Sequence, residues 1–253
     1  MIVSTMASAA ETYYVGVYAG AWAKYDINFQ YVWESQTEPE PQYLRDSNQT
    51  KWNNVTIAMV SGYTVTTEVT THLKNNTERT ARYQGDILTG VGNLSFQVLV
   101  AGIQKGDPIL IYPNFTGEIP RINETISTSY AGANRQINFM RVEAGDVKNG
   151  EFLGSGVIYD YYWDRKTGIL CELGTLTHDE TALHNMTSYL TAKMAQTNLW
   201  KPETNNDAIW WIVGFTIVVS VASILFLSFR RRRKRHHISR HHSFQRKNEK
   251  IKK

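Results

Sequence analysis

The run Ala208–Phe229 contains no charged residue, and Arg230, Arg231, Arg232, Arg233, Lys234 and Arg235 follow it directly. At about 1.5 Å per helical residue the run spans roughly 33 Å, close to the hydrocarbon thickness of a bilayer. Trp210 and Trp211 stand at its start, where indole rings favour the headgroup layer. A basic run abutting one end of a span holds that end on the cytoplasmic side. The sequence therefore predicts a single-pass protein of the plasma membrane, with its N-terminal domain extracellular and its C-terminus cytoplasmic. The competing reading, a buried core helix, fits poorly with an end made of four arginines. Gly214, Ser220 and Ser223 are small but do not form a Gly-x-x-x-Gly pairing motif.

The span divides the charge. The tail, 230–253, holds 12 of the 27 Lys and Arg and one of the 23 acids, so it carries +11 and the rest of the chain −7. The sequence pI of about 9.0 describes the tail and not the expected outer domain. The tail is expected to lie on anionic lipid headgroups, worth about 1 kcal/mol per base near the surface. Charge alone argues for no nucleic-acid partner. At the other terminus, Ala7-Ser8-Ala9 fits a small-residue cleavage pattern, so residues 1–10 read as the remnant of a signal peptide; the alternative is that the span at 208–229 inserts the domain by itself. A single cysteine, Cys171, excludes an internal disulfide, and its place in an apolar run predicts a buried, inert thiol.

Residues 11–200 are expected to form one β-rich extracellular domain. Tyr, Trp, Thr and Val are frequent there, and alternation recurs between turn signals. Strands are predicted over 54–60, 63–72, 80–87, 122–130, 136–142, 156–163, 169–175 and 186–195. Segment 95–101 reads as a strand or a short helix, and 34–45, with Pro39 and Pro41, as a loop. The clearest hairpin turn is Asp164-Arg165-Lys166-Thr167-Gly168, where the carboxylate can accept turn amides and the glycine permits positive φ. Residues 201–207 read as a polar stalk before the span at 208–229. Successive hairpins predict a mainly β fold: a curled antiparallel sheet, half-barrel or sandwich-like, plus the C-terminal transmembrane helix.

Seven Asn-x-Ser/Thr triplets, at Asn48, Asn54, Asn75, Asn93, Asn114, Asn123 and Asn185, all precede the span. They exceed what composition alone would place and predict a glycosylated surface. Catalytic patterns are thin. The string from His178 to His184 holds two imidazoles and two carboxylates without the helical i, i+4 spacing of a zinc site, so it reads as a polar loop. No Gly-x-Ser-x-Gly elbow and no phosphate-cradling glycine loop occurs. Asp160 and Asp164 flank Tyr161-Tyr162-Trp163, which suggests a carbohydrate platform but is more often sheet packing. No enzyme, cofactor or metal is expected.

Several short segments in order resemble a group of archaeal membrane-anchored surface proteins. They are Gly20-Ala21-Trp22-Ala23-Lys24-Tyr25, Gln104-Lys105-Gly106-Asp107, Ile122-Asn123-Glu124-Thr125-Ile126, Tyr130-Ala131-Gly132-Ala133-Asn134-Arg135, Tyr162 to Gly168, and Thr197-Asn198-Leu199-Trp200. Ala21 departs from the Asp that such proteins often carry after the first glycine, which removes a cap. The resemblance implies an export signal, one β-rich outer domain and a C-terminal membrane helix, and it implies no activity. The Asp-x-x-Thr-Gly turn is also similar to turns in curled half-barrel envelope proteins that carry lipids, a likeness of fold only. The expectation is a non-enzymatic surface protein binding an envelope component, an apolar ligand or a partner protein. An anchored hydrolase acting on polymer, or a sensor with a basic tail, are the alternatives.

Overall fold

The computed structural model describes residues 13–35, 37–94, 96–109 and 119–203. The leader at 1–10, Asn114, the span with Trp210 and Trp211, and the basic run from Arg230 to Arg235 lie outside the described residues. Among the described residues no helix is long and apolar enough to cross a membrane.

The domain is mainly β. Among the described residues nine strands occur: β1 (Trp22–Ser35), β2 (Thr50–Ser61), β3 (Thr64–Leu73), β4 (Glu78–Asp86), β5 (Glu124–Tyr130), β6 (Ala133–Lys148), β7 (Glu151–Asp164), β8 (Leu170–Glu180) and β9 (His184–Thr197). They form one antiparallel sheet in the order β4-β3-β2-β1-β9-β8-β7-β6-β5. The sheet is not closed, so β4 and β5 are its edges. Three strands separate β5 from β9 in that order, yet the two touch, so this half of the sheet bends back on itself.

Each expected strand has a counterpart: β2, β4, β6, β7, β8 and β9 run longer than expected, β3 keeps the expected length shifted by one residue, and β5 starts two residues later, at Glu124. β1 was not singled out in sequence. Its first turns bury Ala23 and Tyr25, while Asp26, Asn28 and Gln30 face out at the period of two that a strand requires. The segment read as a loop over 34–45 instead enters a helix, α1 (Gln42–Asn48). Pro41, extended at its N-cap, pre-sets the entry, and Leu44, fully buried, pins the helix to β1.

The β7–β8 hairpin turn has the expected chemistry. Asp164 Oδ2 accepts the Thr167 amide at 2.8 Å and its hydroxyl at 2.7 Å. Gly168 has φ +72, and a Cβ there would stand 2.0 Å from the Leu99 carbonyl oxygen, so neither the conformation nor the contact tolerates a side chain. That contact is part of how the core is closed. The long β4–β5 connection lies against this hairpin: Leu99 N donates to Gly168 O at 2.9 Å and Leu170 N to Gln97 O at 3.0 Å. Asn138 Nδ2 donates to Ile103 O at 2.7 Å. Segment 96–101 is thus neither a named strand nor a helix. Its backbone spends its hydrogen bonds on the hairpin instead, and Val98, Leu99 and Ile103 are buried with Ile57, Tyr161 and Trp163.

The chain stays docked through Glu203, past residue 201 where the sequence places the start of a stalk. Asn198 Oδ1 accepts from Trp22 N at 2.7 Å, and Trp200 Nε1 donates to Tyr130 O at 3.1 Å. Glu203 N donates to Gly132 O at 2.7 Å, and its carboxylate accepts from Asn134 N at 3.1 Å.

Candidate functional site

Antiparallel strands of similar length give the sheet two ends. The chain leaves β9 for Glu203 at one of them. At the other, the rim, β1 finishes at Ser35, β9 starts at His184, and two hairpins turn, β6–β7 at 149–150 and β8–β9 at 181–183. The register sets Ser35 opposite His184 and Asp179 opposite Met186.

His184 sits between two carboxylates. Its Nδ1 lies 2.7 Å from Glu38 Oε2 and its Nε2 lies 3.2 Å from Asp179 Oδ2. The ring stacks on Trp33 at 4.6 Å between centroids. Ser155 Oγ, from β7, donates to the second Asp179 oxygen at 3.1 Å and accepts from Glu180 N at 2.9 Å. Tyr43 of α1 donates to Met186 Sδ at 3.3 Å, close enough to Asp179 for that carboxylate to help raise its phenol, after burial. His178 faces away, its Nδ1 3.1 Å from Thr187 Oγ1 and its Nε2 3.6 Å from Glu180. The hydrogen bonds from Asp179 first, then Glu38, push the His184 imidazole up. Asp179 is held down, chiefly by His184 and then by Ser155 against the cost of burial.

Chemically this is a strut: two carboxylates meet one imidazole. A carboxylate beside each ring nitrogen favours the protonated imidazole. It ties the segment before α1 to the β8–β9 hairpin, 146 residues later in the chain. Among the described residues no three His, Cys, Asp or Glu side chains converge on a metal position. Cys171 is free and fully buried, and burial, helped by Asp164, pushes its thiol well up, which leaves it unreactive.

The strut has a pH signature. A raised imidazole pKa contributes stability in full below the unfolded value of about 6.5 and loses it as pH rises through the raised folded value. The lowered Asp179 carboxyl contributes above about 3.9 and loses it as pH falls through the lowered value. The rim is therefore tightest between about pH 4 and 6. After correction for intrinsic exchange rates, amide protection over 37–41 and 181–184 should be greater at about pH 5 than at about pH 8.5. His184→Gln should flatten that difference. Equal protection of the wild type at both pH values would refute the strut.

The rim also exposes large apolar side chains. Leu153 is 72% exposed in the β6–β7 hairpin, Leu183 56% in the β8–β9 turn, and Tyr43 57% on α1.

The glycosylation triplets scatter over the surface and do not converge. Asn75, Asn93, Asn123 and Asn185 are exposed, while Asn48 and Asn54 are half-buried. Asn75 Oδ1 accepts the Thr77 amide and hydroxyl of its own triplet at 3.0 and 2.7 Å. Asn123 Oδ1 accepts from Arg141 N at 2.7 Å and Asn93 Oδ1 from Gln84 N at 2.8 Å. Asn54 uses its amide nitrogen, donating to Thr56 Oγ1 at 3.1 Å, so the atom that a glycan would take is engaged.

The aromatic run 161–163 divides by face. Tyr161 and Trp163 are buried in the core and stack at 5.1 Å, and Tyr162 meets Phe139 at 4.9 Å. Asp160 pairs with Arg141 at 2.6 Å and Asp164 with Arg135 at 2.8 Å, so both carboxylates serve the sheet and no sugar platform forms between them. Sequence reasoning missed the partnership of Glu38, Asp179 and His184. The His178–Glu180 stretch was legible only as a polar string, and nothing local ties it to Glu38.

No family model matches the chain, and no curated protein or solved structure matches it.

Proposed function

We propose that this chain is a non-enzymatic surface protein, anchored by the span at 208–229, whose β domain binds a partner protein or envelope component through the rim at Leu153, Leu183 and Tyr43. The exposure of large apolar side chains on three neighbouring elements carries this reading, because water-facing leucines at hairpin tips gain nothing for the fold itself. The uncharged span, the basic run after it and the triplets before it support the anchored, glycosylated setting, as does the resemblance to archaeal surface proteins.

The lipid-carrier alternative draws less support. The β4–β5 connection seats Val98, Leu99, Ile103 and Ile109 on the core face where a carried chain would lie. The cavity left beneath it, lined by Tyr13, Ile87, Leu88, Leu99, Val100, Ile103, Pro108 and Ile109, has a volume of about 70 Å³. That is room for a few ordered waters and not for an acyl chain. The hydrolase alternative needs a free base beside a second acid, and the rim imidazole has both nitrogens occupied.

The test places a photo-crosslinking residue at Leu153 or Leu183 in the full chain on intact cells of the native host. Discrete larger species that added protease removes are expected. A crosslinker at Lys51, exposed on β2, serves as the control. Products no more abundant than from Lys51 would sink the rim reading, and products inaccessible to protease would reverse the orientation.

A further inference from the structure

An open sheet has two unpaired edges, and the two here differ in chemistry. Along β4 the even-numbered residues turn their backbone groups away from β3. Gln84 O accepts Asn93 N at 2.9 Å, and Asp86 N donates to Val91 O at 2.8 Å, both on the outer side. The β3–β4 register runs without a shift from Thr64↔Asp86 to His72↔Glu78, so Glu78, Thr80 and Arg82 point the same way. The segment 91–93 covers the outer edge only at its end. Among the described residues, the outward N–H and C=O groups of Thr80 and Arg82 have no partner. Beside them lies an open cleft of about 700 Å³ lined by Thr64, Arg82, Gln84, Val91 and Asn93.

We propose that this edge pairs with the same edge of a second copy, antiparallel about a two-fold axis at Thr80. Hydrogen-bonded antiparallel pairs must join outward-facing residues of both strands. Centring on Thr80 meets that condition: Thr80 faces Thr80, and Glu78 of each copy faces Arg82 of the other. On the order of six main-chain hydrogen bonds result. The charges match only in this register. Moving the axis to Arg82 would set Arg82 against itself and require residues that 91–93 already cover. The groups needed are at hand. Arg82 stands across from Glu68 but makes no ion pair among the described residues, and Glu78 meets His72 through one carboxylate oxygen, leaving the other. The 700 Å³ cleft gives the turn 74–77 of the second copy a place beside 91–93. The other edge, β5, offers Thr125, Ser127 and Ser129 outward and no such self-complementary charge. Asn75 and Asn93 flank the seam, so the test uses the unglycosylated full chain in detergent.

Residues facing across a hydrogen-bonded pair have Cα atoms about 5.5 Å apart, within disulfide reach. The natural Cys171 is buried and does not compete. Under mild copper–phenanthroline oxidation, Thr80→Cys should give a covalent dimer, and Ser127→Cys on the other edge should not. Glu78→Cys and Arg82→Cys should each stay monomeric alone and crosslink when mixed. In the Thr80→Cys background, Arg82→Glu should reduce dimer yield roughly tenfold, and adding Glu78→Arg should restore it. These surface positions leave the core untouched, so loss of fold will not imitate the result. A monomeric Thr80→Cys protein overturns the proposal. So does crosslinking between Thr80→Cys and Ser127→Cys, which marks a head-to-tail contact, or a Glu78→Cys dimer as abundant as that of Thr80→Cys.

Discussion

Trp163→Ala should lower the unfolding free energy of the domain by about 3–5 kcal/mol, at the top of the range for a single core truncation. The indole is fully buried, stacks on Tyr161 at 5.1 Å and 8°, and donates Nε1 to Phe96 O at 2.8 Å. It holds β7 and the β4–β5 connection together, so its loss removes packing and a hydrogen bond at once. One term acts in the opposite sense. Phe96 sits at φ +61, a left-handed conformation that costs a non-glycine residue about 1–2 kcal/mol. The Phe96 ring, stacked on Tyr161 at 4.5 Å, and the indole bond keep it there. Without the indole the connection can relax and recover part of that cost, but the cavity outweighs it. Urea unfolding of the full chain in detergent, followed by circular dichroism, measures the change. Limited proteolysis should find new cuts within 88–109. Leu153→Ala, at the exposed rim, serves as the control and should stay within about 0.5 kcal/mol of wild type. A loss below about 1.5 kcal/mol for Trp163→Ala would show that the connection is held by something other than this ring.

Asp164→Ala should cost a similar amount, about 3–5 kcal/mol, for a different reason. The carboxylate is 1% exposed and meets Arg135 through two bonds, at 2.8 and 3.0 Å, while also accepting from the Thr167 amide and hydroxyl. Arg135 is itself covered by Trp200, 4.6 Å above its guanidinium. Removing the acid strands a half-desolvated cation and leaves a buried turn amide unpaired. Asp164→Asn keeps an acceptor for the turn and loses the ion pair, so it should cost about half as much. Arg135→Met combined with Asp164→Asn should cost less than the two single changes added together, since no lone charge remains. Additive single and double effects in the same urea assay would show that the pair does not act as a unit.

These two neighbouring residues also mark where local and long-range information divide. The Asp164–Gly168 turn was legible because its parts lie within five positions: an acid that caps its own turn and a glycine for the left-handed step. What Asp164 does with Arg135, and what Gly168 does against Leu99, depends on strands and a connection far away in sequence. The same division explains the helix entered from Pro41. A single buried leucine on a seven-residue helix produces no readable period, and only its seat on β1 decides the conformation. β1 itself pairs with β9, from Ala23↔Thr197 to Ser35↔His184, and no turn signal joins strands so remote.

The class of the fold and much of its punctuation follow from local residue pattern. Alternation, β-branched and aromatic content and hairpin turns are local properties, and they lead to an antiparallel, mainly β domain ending in an uncharged run and a basic tail. Tertiary structure alone decided the rest. It seated the β4–β5 connection on the core face, because buried backbone groups must find partners wherever the sheet offers them. It brought Glu38 and Asp179 to opposite sides of His184 by ending β1 beside the β8–β9 hairpin. It also left β4 as an edge that, among the described residues, only 91–93 covers at one end, since strand order follows from how the whole sheet closes its core and no segment encodes its own neighbours.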